Sequence, residues 1–350
     1  MLGKLFGAFS RDTGIDLGTA NILVYVHGAG IVINEPSVVA LNQKTGQVVA
    51  IGNEAKKMMG RTPPHISIIR PLQEGVISDF EVTQEMLAYF IKKVHHPRAG
   101  FFARPRVVIG IPSGITEVER RAVRDVAKNA GASEAYLVEE PMAAAIGLRL
   151  PVEEPIGNMV MDIGGGTTDI AVISLGGIVS SLNLRLAGDR LNSDIVNYVR
   201  DEYKLLLGEK TAEELKISIG AAAKLDEAFD SIVRGRDLVT GLPREVRLTD
   251  GDIRVAISKT IRAIIAGVKD VVEDTPPELV ADVVHRGVWM VGGGAQLRGL
   301  ATLIEQEIKI PTRIAEDPVT AVVRGCGIIV ENINDLRSML VEHEEAVSPE

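Results

Sequence analysis

The sequence predicts an α/β fold built as two related domains, and three observations carry that expectation. Apolar strand-like runs alternate with segments of helical period along most of the chain, which implies mixed sheets covered by helices. The alternation restarts at residue 159. The early stretch "GIDLGTANILVYV" shares one plan with "VMDIGGGTTDIAVISL": apolar strand, Asp, apolar residue, Gly, small residues with Thr, apolar strand. The two copies lie too far apart for a solenoid period, so two similar domains facing one another are expected.

Taken in order, "TGIDL", "NILVYV" and "GIVI" read as strands separated by Gly and Asn turns. A turn-rich module follows between Asn34 and Pro64, with "NQKTGQ" at a hairpin. Met86, Leu87, Phe90, Ile91 and Val94 recur at helical spacing and predict a helix over about 83–94. "RVVIGIP" (106–112) is a buried strand. In "TEVERRAVRDVAKNAG", Thr116 and Glu119 form a capping box and Gly131 ends the helix. "EAYLVEEP" is a strand that leads into the helix "PMAAAIGLRL". Beyond 159, two strands flank the glycine turn and β structure runs on to Leu186. Helices are expected near 190–207 and 211–227, and an arginine-rich hairpin over 233–250. A long helix follows over 251–272, then the strand "GVWMVGGGAQL". The acidic tail from Glu342 is expected to be disordered.

The chain has 350 residues, 46% of them hydrophobic and 24% charged, enough for two domains with sizeable cores. Cys326 is the only cysteine, so no disulfide framework forms and a reducing cytoplasm is the expected compartment. The net charge of −9 argues against nucleic acid as main partner. No apolar run is long enough to span a membrane, and "MLGKLFGAFSRD" lacks the features of a signal peptide.

A turn of Gly and Thr between two strands presents backbone N–H groups to whatever lies before it, a concavity that suits anions. Thr19, Thr167 and Thr168 add hydroxyls. Tight hairpins without a ligand look similar, so one such loop alone decides little. Asp16 and Asp162 each close an apolar strand just before its turn. Each could cap its own turn. Two carboxylates converging on phosphates would also suit Mg²⁺, which keeps several waters and needs only one or two carboxylates. A third glycine run, Gly292, Gly293 and Gly294 with Ala295, again follows a buried strand, where α/β sheets place ligands. Neither the P-loop nor the dinucleotide fingerprint occurs.

"IDLGTAN" and "DIGGGTTDIAV" resemble the two phosphate motifs of the actin-like ATPase superfamily, and "GGGAQLRGL" its adenosine motif. "NEPSVVA", "IRPLQEGVISDFEVT", "VERRAV", "EEPMAAAIG" and "PPELVADVVHRGVWMVGGGAQLRGL" are similar to the MreB family of bacterial actin homologues. The resemblance runs from about Asp12 to Asn334. Gly14, Ile22, Pro64 and Ala187 depart from the residues usual there. It implies an actin-like (ribonuclease H-like) fold of two α/β domains around a nucleotide cleft, each with a smaller subdomain. The implied boundaries are 1–32, 66–145 and 318–340 for subdomain IA, and 33–65 for IB. They are 146–181 and 247–317 for IIA, and 182–246 for IIB.

The implied activity is ATP hydrolysis coupled to assembly of homopolymer filaments. These would lie on the inner face of the cytoplasmic membrane, organise cell-wall synthesis with the elongation machinery and maintain rod shape. ATP or ADP with Mg²⁺ is the implied cofactor. By motif, Thr19, Ala20 and Asn21 would face the phosphates from one side and Gly164, Gly165, Gly166 and Thr167 from the other. Asp16 and Asp162 would serve the metal. Glu213, Glu214, Leu215 and Lys216 would approach ribose and adenine, completed by Gly292–Ala295. Read without the family, Thr211 and Glu214 make a capping box, while Glu213 and Lys216 share a helix face and could be a solvated ion pair. Glu140, at a strand end in "EEP", matches the water-activating glutamate, with Thr167 as helper. Neighbouring strand residues point to opposite faces, so only one of Glu139 and Glu140 should enter the cleft.

Leu2, Leu5, Phe6 and Phe9 stand at helical spacing and could bury one face in an interface. Phe101 and Phe102 sit in a Pro- and Gly-marked loop among Lys92, Lys93, Arg98, Arg104 and Arg106, a composition suited to an anionic membrane surface. Fraying of the terminus and local packing of the phenylalanines is the alternative. Two other functions fit the fold class. A small-molecule kinase would need a substrate base beyond Glu140, and a chaperone ATPase would need a further domain after "RGCGIIVENIND".

Overall fold

The computed structural model describes residues 12–94 and 104–341. It divides into two compact units, Met1–Pro155 with Ile173–Ile178 and Thr320–Glu350, and Ile156–Val172 with Val179–Val319.

The first unit opens with β1 (Thr13–Leu17), β2 (Asn21–Val26) and β3 (Gly30–Pro36), followed by β4 (Val39–Asn42), β5 (Val48–Ile51), α1 (Asn53–Met58) and β6 (Ile66–Ile69). Next come β7 (Leu72–Gln73), β8 (Val76–Ile77), α2 (Phe80–Val94), β9 (Arg106–Ile111), α3 (Glu117–Asn129), β10 (Glu134–Glu139) and α4 (Glu140–Gly147). The main sheet has the order β10-β9-β1-β2-β3, and β5-β4-β6 form a small separate sheet. The expected hairpin at "NQKTGQ" joins β4 to β5. Ile15, Leu17, Ile22, Val24 and Val26 pack with Met86, Leu87 and Phe90 of α2 and Val126 of α3 in one core. Helix α2 starts three residues before the expected Thr83, because the Asp79 carboxylate accepts the Val82 N–H (3.0 Å) and opens the turn earlier. The capping box of Thr116 and Glu119 is present.

The second unit holds β11 (Asn158–Ile163), most of β12 (Thr168–Ser174) and of β13 (Gly177–Leu184), α5 (Gly188–Tyr203), β14 (Leu205–Leu206) and α6 (Glu209–Ile219). It continues with β15 (Asp230–Asp237), β16 (Pro243–Thr249), α7 (Asp250–Glu273), α8 (Pro277–Arg286), β17 (Val288–Val291), α9 (Leu300–Ile308) and β18 (Thr312–Ile314). Its main sheet, β13-β12-β11-β17-β18, repeats the order β3-β2-β1-β9-β10. In both, the central strand runs parallel to the strand that returns after a long excursion, β1 to β9 and β11 to β17. The shared motif plan thus corresponds to a shared topology. Helix α6 departs from the expected 211–227. It starts after Gly208 with no side-chain cap, so Thr211 lies inside the first turn and the Thr211–Glu214 capping box does not form. It ends at Gly220, where any Cβ would overlap the Lys216 carbonyl. Helix α5 likewise stops at Tyr203 rather than 207, because Lys204 turns left-handed (φ 54°) and releases Leu205 into a strand.

The chain returns to the first unit with α10 (Ala321–Glu331). This helix lies on its neighbours' backbones, because Gly325 clears Ala143 of α4 and Gly327 clears the Tyr25 ring. A Cβ on Gly14 would stand 2.7 Å from the Cys326 carbonyl carbon, so the close approach of α10 to β1 requires glycine here. Ile22, another departure, is fully buried in the core.

Candidate nucleotide site

In the first unit Asp16 occupies the last paired position between β1 and β9, opposite Gly110. Burial pushes its carboxyl up to about 7. The loop that follows is tied to distant chain in the same unit. Ser37 Oγ donates to Gly18 O (2.6 Å), and Thr19 Oγ1 accepts the Gly75 N–H (3.0 Å). Ala20 O accepts the Ser37 N–H at 3.0 Å, and the Ala20 side chain is exposed. Asn21, partly buried, starts β2.

Glu140 differs from its expected setting: it is the first residue of helix α4 rather than the end of a strand, and Glu139 closes β10. The two carboxylates still part. Glu139 lies toward Arg120 and the Gly114 N–H, and burial raises its carboxyl pKa. Glu140, buried, projects beside Gly110, whose absent side chain leaves room 3.5 Å from Glu140 Cγ and 3.8 Å from Cys326 Sγ. The Cys326 thiol is fully buried and its pKa is pushed well up by that burial, with Asp16 and Glu140 adding to the shift.

In the second unit Asp162 holds the matching place, opposite Val291 at the end of the β11–β17 ladder. The loop Gly164–Thr167 is closed by its own backbone, Gly164 N–H to Thr167 O (2.9 Å). It is moored to the start of α5, whose Gly188 and Asp189 N–H groups donate to Gly164 O (3.2 Å) and Gly165 O (2.8 Å). Thr168 Oγ1 donates to Leu186 O at 2.7 Å. Lys216 of α6 reaches the same corner, its Nζ donating to Gly188 O at 2.9 Å. Burial lowers the Lys216 pKa, opposed by Glu213, Asp189 and Glu209, so Glu213 and Lys216 are not a fully solvated surface pair. Glu214 is exposed and 3.9 Å from Lys210, while Leu215 belongs to the core and offers a ligand only its backbone.

The run Gly292–Ala295 leaves β17 beside Asp162. A Cβ on Gly292 (φ 79°) would overlap Asp162 Oδ1 and Ile163 O, and one on Gly294 would overlap Ile163. Both glycines are required by close approach, whereas Gly293 faces open space. Arg298 straps this segment to α6 through Ile217 O (3.1 Å) and Gly220 O (3.4 Å), its guanidinium over the Phe229 ring. Asp162, the glycine loop, the α5 start, Lys216 and Gly292–Ala295 therefore meet within one unit. Ser37, Gly75, Gly110, Gly188 and Arg298 escaped the sequence reading. Ser37 and Arg298 lie in quoted motifs, but nothing local marks their distant partners.

The donor set suits a hard cation held mainly by a ligand. Within the second unit Asp162 is 7% exposed at the end of its ladder, and within the first burial raises Asp16. Among the described residues no group of three or more His, Cys, Asp or Glu could hold a metal, so phosphate and water would have to complete the shell. No helix among the described residues is long and apolar enough to cross a membrane. Leu2, Leu5, Phe6, Phe9, Phe101 and Phe102, expected to contact membrane, and the acidic tail lie outside the described residues.

The family model of the MreB/Mbl protein matches residues 10–338. The cell shape-determining protein Mbl of Bacillus cereus is 49% identical over 328 residues, 94% of this chain and 98% of its own. The cell shape-determining protein MreB of Escherichia coli is 51% identical over 340 residues, 95% of this chain and 97% of its own. Among solved structures, MreB5 of Spiroplasma citri bound to ADP superposes with a TM-score of 0.87 at 38% identity, covering 93% of this chain and 99% of that one. Its AMPPNP-bound form gives a TM-score of 0.88. With its repeated sheet order and paired aspartate–glycine loops, the chain is a member of the MreB/Mbl family of actin-like, cell shape-determining proteins.

Proposed function

We propose that the chain binds ATP and ADP with Mg²⁺, hydrolyses ATP slowly, and polymerises with copies of itself into filaments. These filaments would lie on the inner face of the cytoplasmic membrane and maintain rod shape by organising cell-wall synthesis. The observation that carries the reading is the convergence of Asp162, the Gly164–Thr167 loop, Lys216 and Gly292–Ala295 in the second unit. MreB5, 38% identical, was solved with ADP and with AMPPNP. The four-subdomain partition belongs to the same proposal.

In this reading Thr19, Ala20 and Asn21, with Gly164, Gly165, Gly166 and Thr167, offer N–H and O–H donors to phosphate oxygens. Gly292–Ala295 and the Glu213–Lys216 turn border the nucleoside. Asp16 and Asp162 would hold hydrated Mg²⁺, which when bound neutralises phosphate charge. Glu140 orients the attacking water and takes its proton, and Thr167 assists. Leu2, Leu5, Phe6, Phe9, Phe101 and Phe102 would supply the membrane contact of the first unit. The test pairs nucleotide binding by calorimetry with phosphate release and ATP-dependent pelleting. Glu140→Ala should bind nucleotide as the unsubstituted chain does and lose at least about 100-fold in hydrolysis. Normal phosphate release from that variant would remove Glu140 from the mechanism, and absence of nucleotide binding by the unsubstituted chain would sink the whole reading.

A further inference from the structure

Glu139 precedes the proposed water-orienting Glu140, yet its carboxylate does not serve its own helix. It is the N-cap residue of α4, in extended conformation (φ −69°, ψ 136°), a position from which an acidic side chain ordinarily accepts the N–H groups of the first turn. No side-chain cap bond forms. The half-buried carboxylate accepts the Gly114 N–H instead and lies toward Arg120. Gly114 is left-handed (φ 71°), and a Cβ there would meet nothing within 4 Å, so backbone conformation rather than space selects glycine at that turn.

Two neighbouring carboxylates thereby bracket one short segment. Glu140 Cγ stands 3.5 Å from where a Cβ of Gly110 would be, while Glu139 pairs in register with Ile111 and holds Gly114. The same segment runs through the Thr116 cap into the first turn of α3, where the Arg120 N–H donates to Thr116 O (2.9 Å). Glu117 of that turn lies closer to Arg124 (3.2 Å) than to Arg120 (3.8 Å), which leaves the Arg120 charge to offset the burial of Glu139. The exit of β9, the start of α3 and the entry to α4 thus meet at Glu139. An apolar side chain would close the strand without taking a charge out of water, so stability does not account for a carboxylate here. A fixed origin for the next side chain does, because misplacing a reacting group by about 1 Å can cost about 100-fold in rate. We propose that Glu139 is a positioning residue for Glu140, tying the entry of α4 to the Gly114 turn so that Glu140 meets the attacking water in one orientation. The proposal rests on the role given to Glu140 above.

The test measures single-turnover phosphate release, nucleotide binding by calorimetry and hydrogen exchange at Gly114 on the full chain, with Glu140→Ala alongside. Glu139→Ala should slow release about ten-fold and quicken exchange at Gly114, while nucleotide Kd stays within about two-fold. Glu139→Gln keeps an acceptor for the Gly114 N–H and should bring release back to within about three-fold of the unsubstituted chain. Arg120→Ala should slow release in the unsubstituted chain and not in the Glu139→Gln background, where no charge is left to offset. Normal release from Glu139→Ala, with Glu140→Ala inactive, would overturn the positioning role and leave Glu140 in place. Glutamine no better than alanine would overturn the tie to Gly114. Nucleotide binding lost in step with release would overturn it in favour of a general structural role. Normal release from Glu140→Ala would remove the role of Glu140 and this one with it.

Discussion

The loop after β1 and the loop after β11 share one sequence plan, yet they are braced in different ways. In each, a glycine two residues after the aspartate faces the carbonyl three residues further on: Gly18 toward Asn21, Gly164 toward Thr167. Around Gly18 the restraint comes from distant chain, the Ser37 hydroxyl and the Gly75 backbone N–H that the loop's own Thr19 accepts. Around Gly164 it comes from the start of α5, whose N–H groups take up the loop carbonyls, and from Lys216 behind them. One motif can thus be held by two independent supports. A repeat in sequence guarantees strand register, not the origin of the loop's rigidity.

The largest contrast is expected at the two glycines. A Cβ on Gly18 would sit 2.7 Å from Asn21 O, inside contact distance, whereas one on Gly164 would sit 3.4 Å from Thr167 O. Gly18→Ala should cost about 2–3 kcal/mol and Gly164→Ala under about 1 kcal/mol, measured from urea denaturation midpoints. Equal losses would erase the distinction between the loops. Next come the hydroxyl braces. Ser37→Ala and Thr168→Val each strand a carbonyl and should cost about 1–2 kcal/mol. Hydrogen exchange should rise at Gly18–Asn21 for the first and at Leu186–Asp189 for the second. If Ser37→Ala leaves exchange at Gly18–Asn21 unchanged, the tertiary grip on that loop is illusory.

The smallest effect uses acid. Burial raises Asp16 in the first unit, but Asp237 in the second is held well below the usual carboxylate range by Arg244 and the N–H groups of Thr240 and Val239. A carboxyl whose folded pKa lies below its unfolded value of about 3.9 stabilises the fold above that pH and loses the contribution as pH falls. Corrected exchange at Val239 and Thr240 should therefore quicken below about pH 4, and Asp237→Asn should abolish that dependence. Acid-insensitive exchange in the unsubstituted chain would remove the carboxylate from the loop's support.

Much of this was legible because it is local. Asp16 and Asp162 stand one residue before their strands end, at the last paired position of each parallel ladder, and Thr116 with Glu119 caps a helix within four residues. The α6 boundary misled because Thr211 and Glu214 have the right spacing for a cap, while Gly208 turns the chain three residues earlier. The pattern "LVEE", apolar up to the carboxylates, places Glu140 at the end of its strand, whereas α4 starts at Glu140, one residue sooner, with Pro141 at its second position. Ser37, Gly75 and Arg298 could not be found by pattern, since each acts on a loop or helix end 19 to 81 residues away.

The cysteine of α10 gives the first unit a built-in stopwatch. Its sulfur is closed off and its proton firmly held, so an alkylating reagent must wait for that unit to open. Reaction half-life would then track loosening of this half alone, with no probe introduced, and nucleotide that tightens it should lengthen the wait.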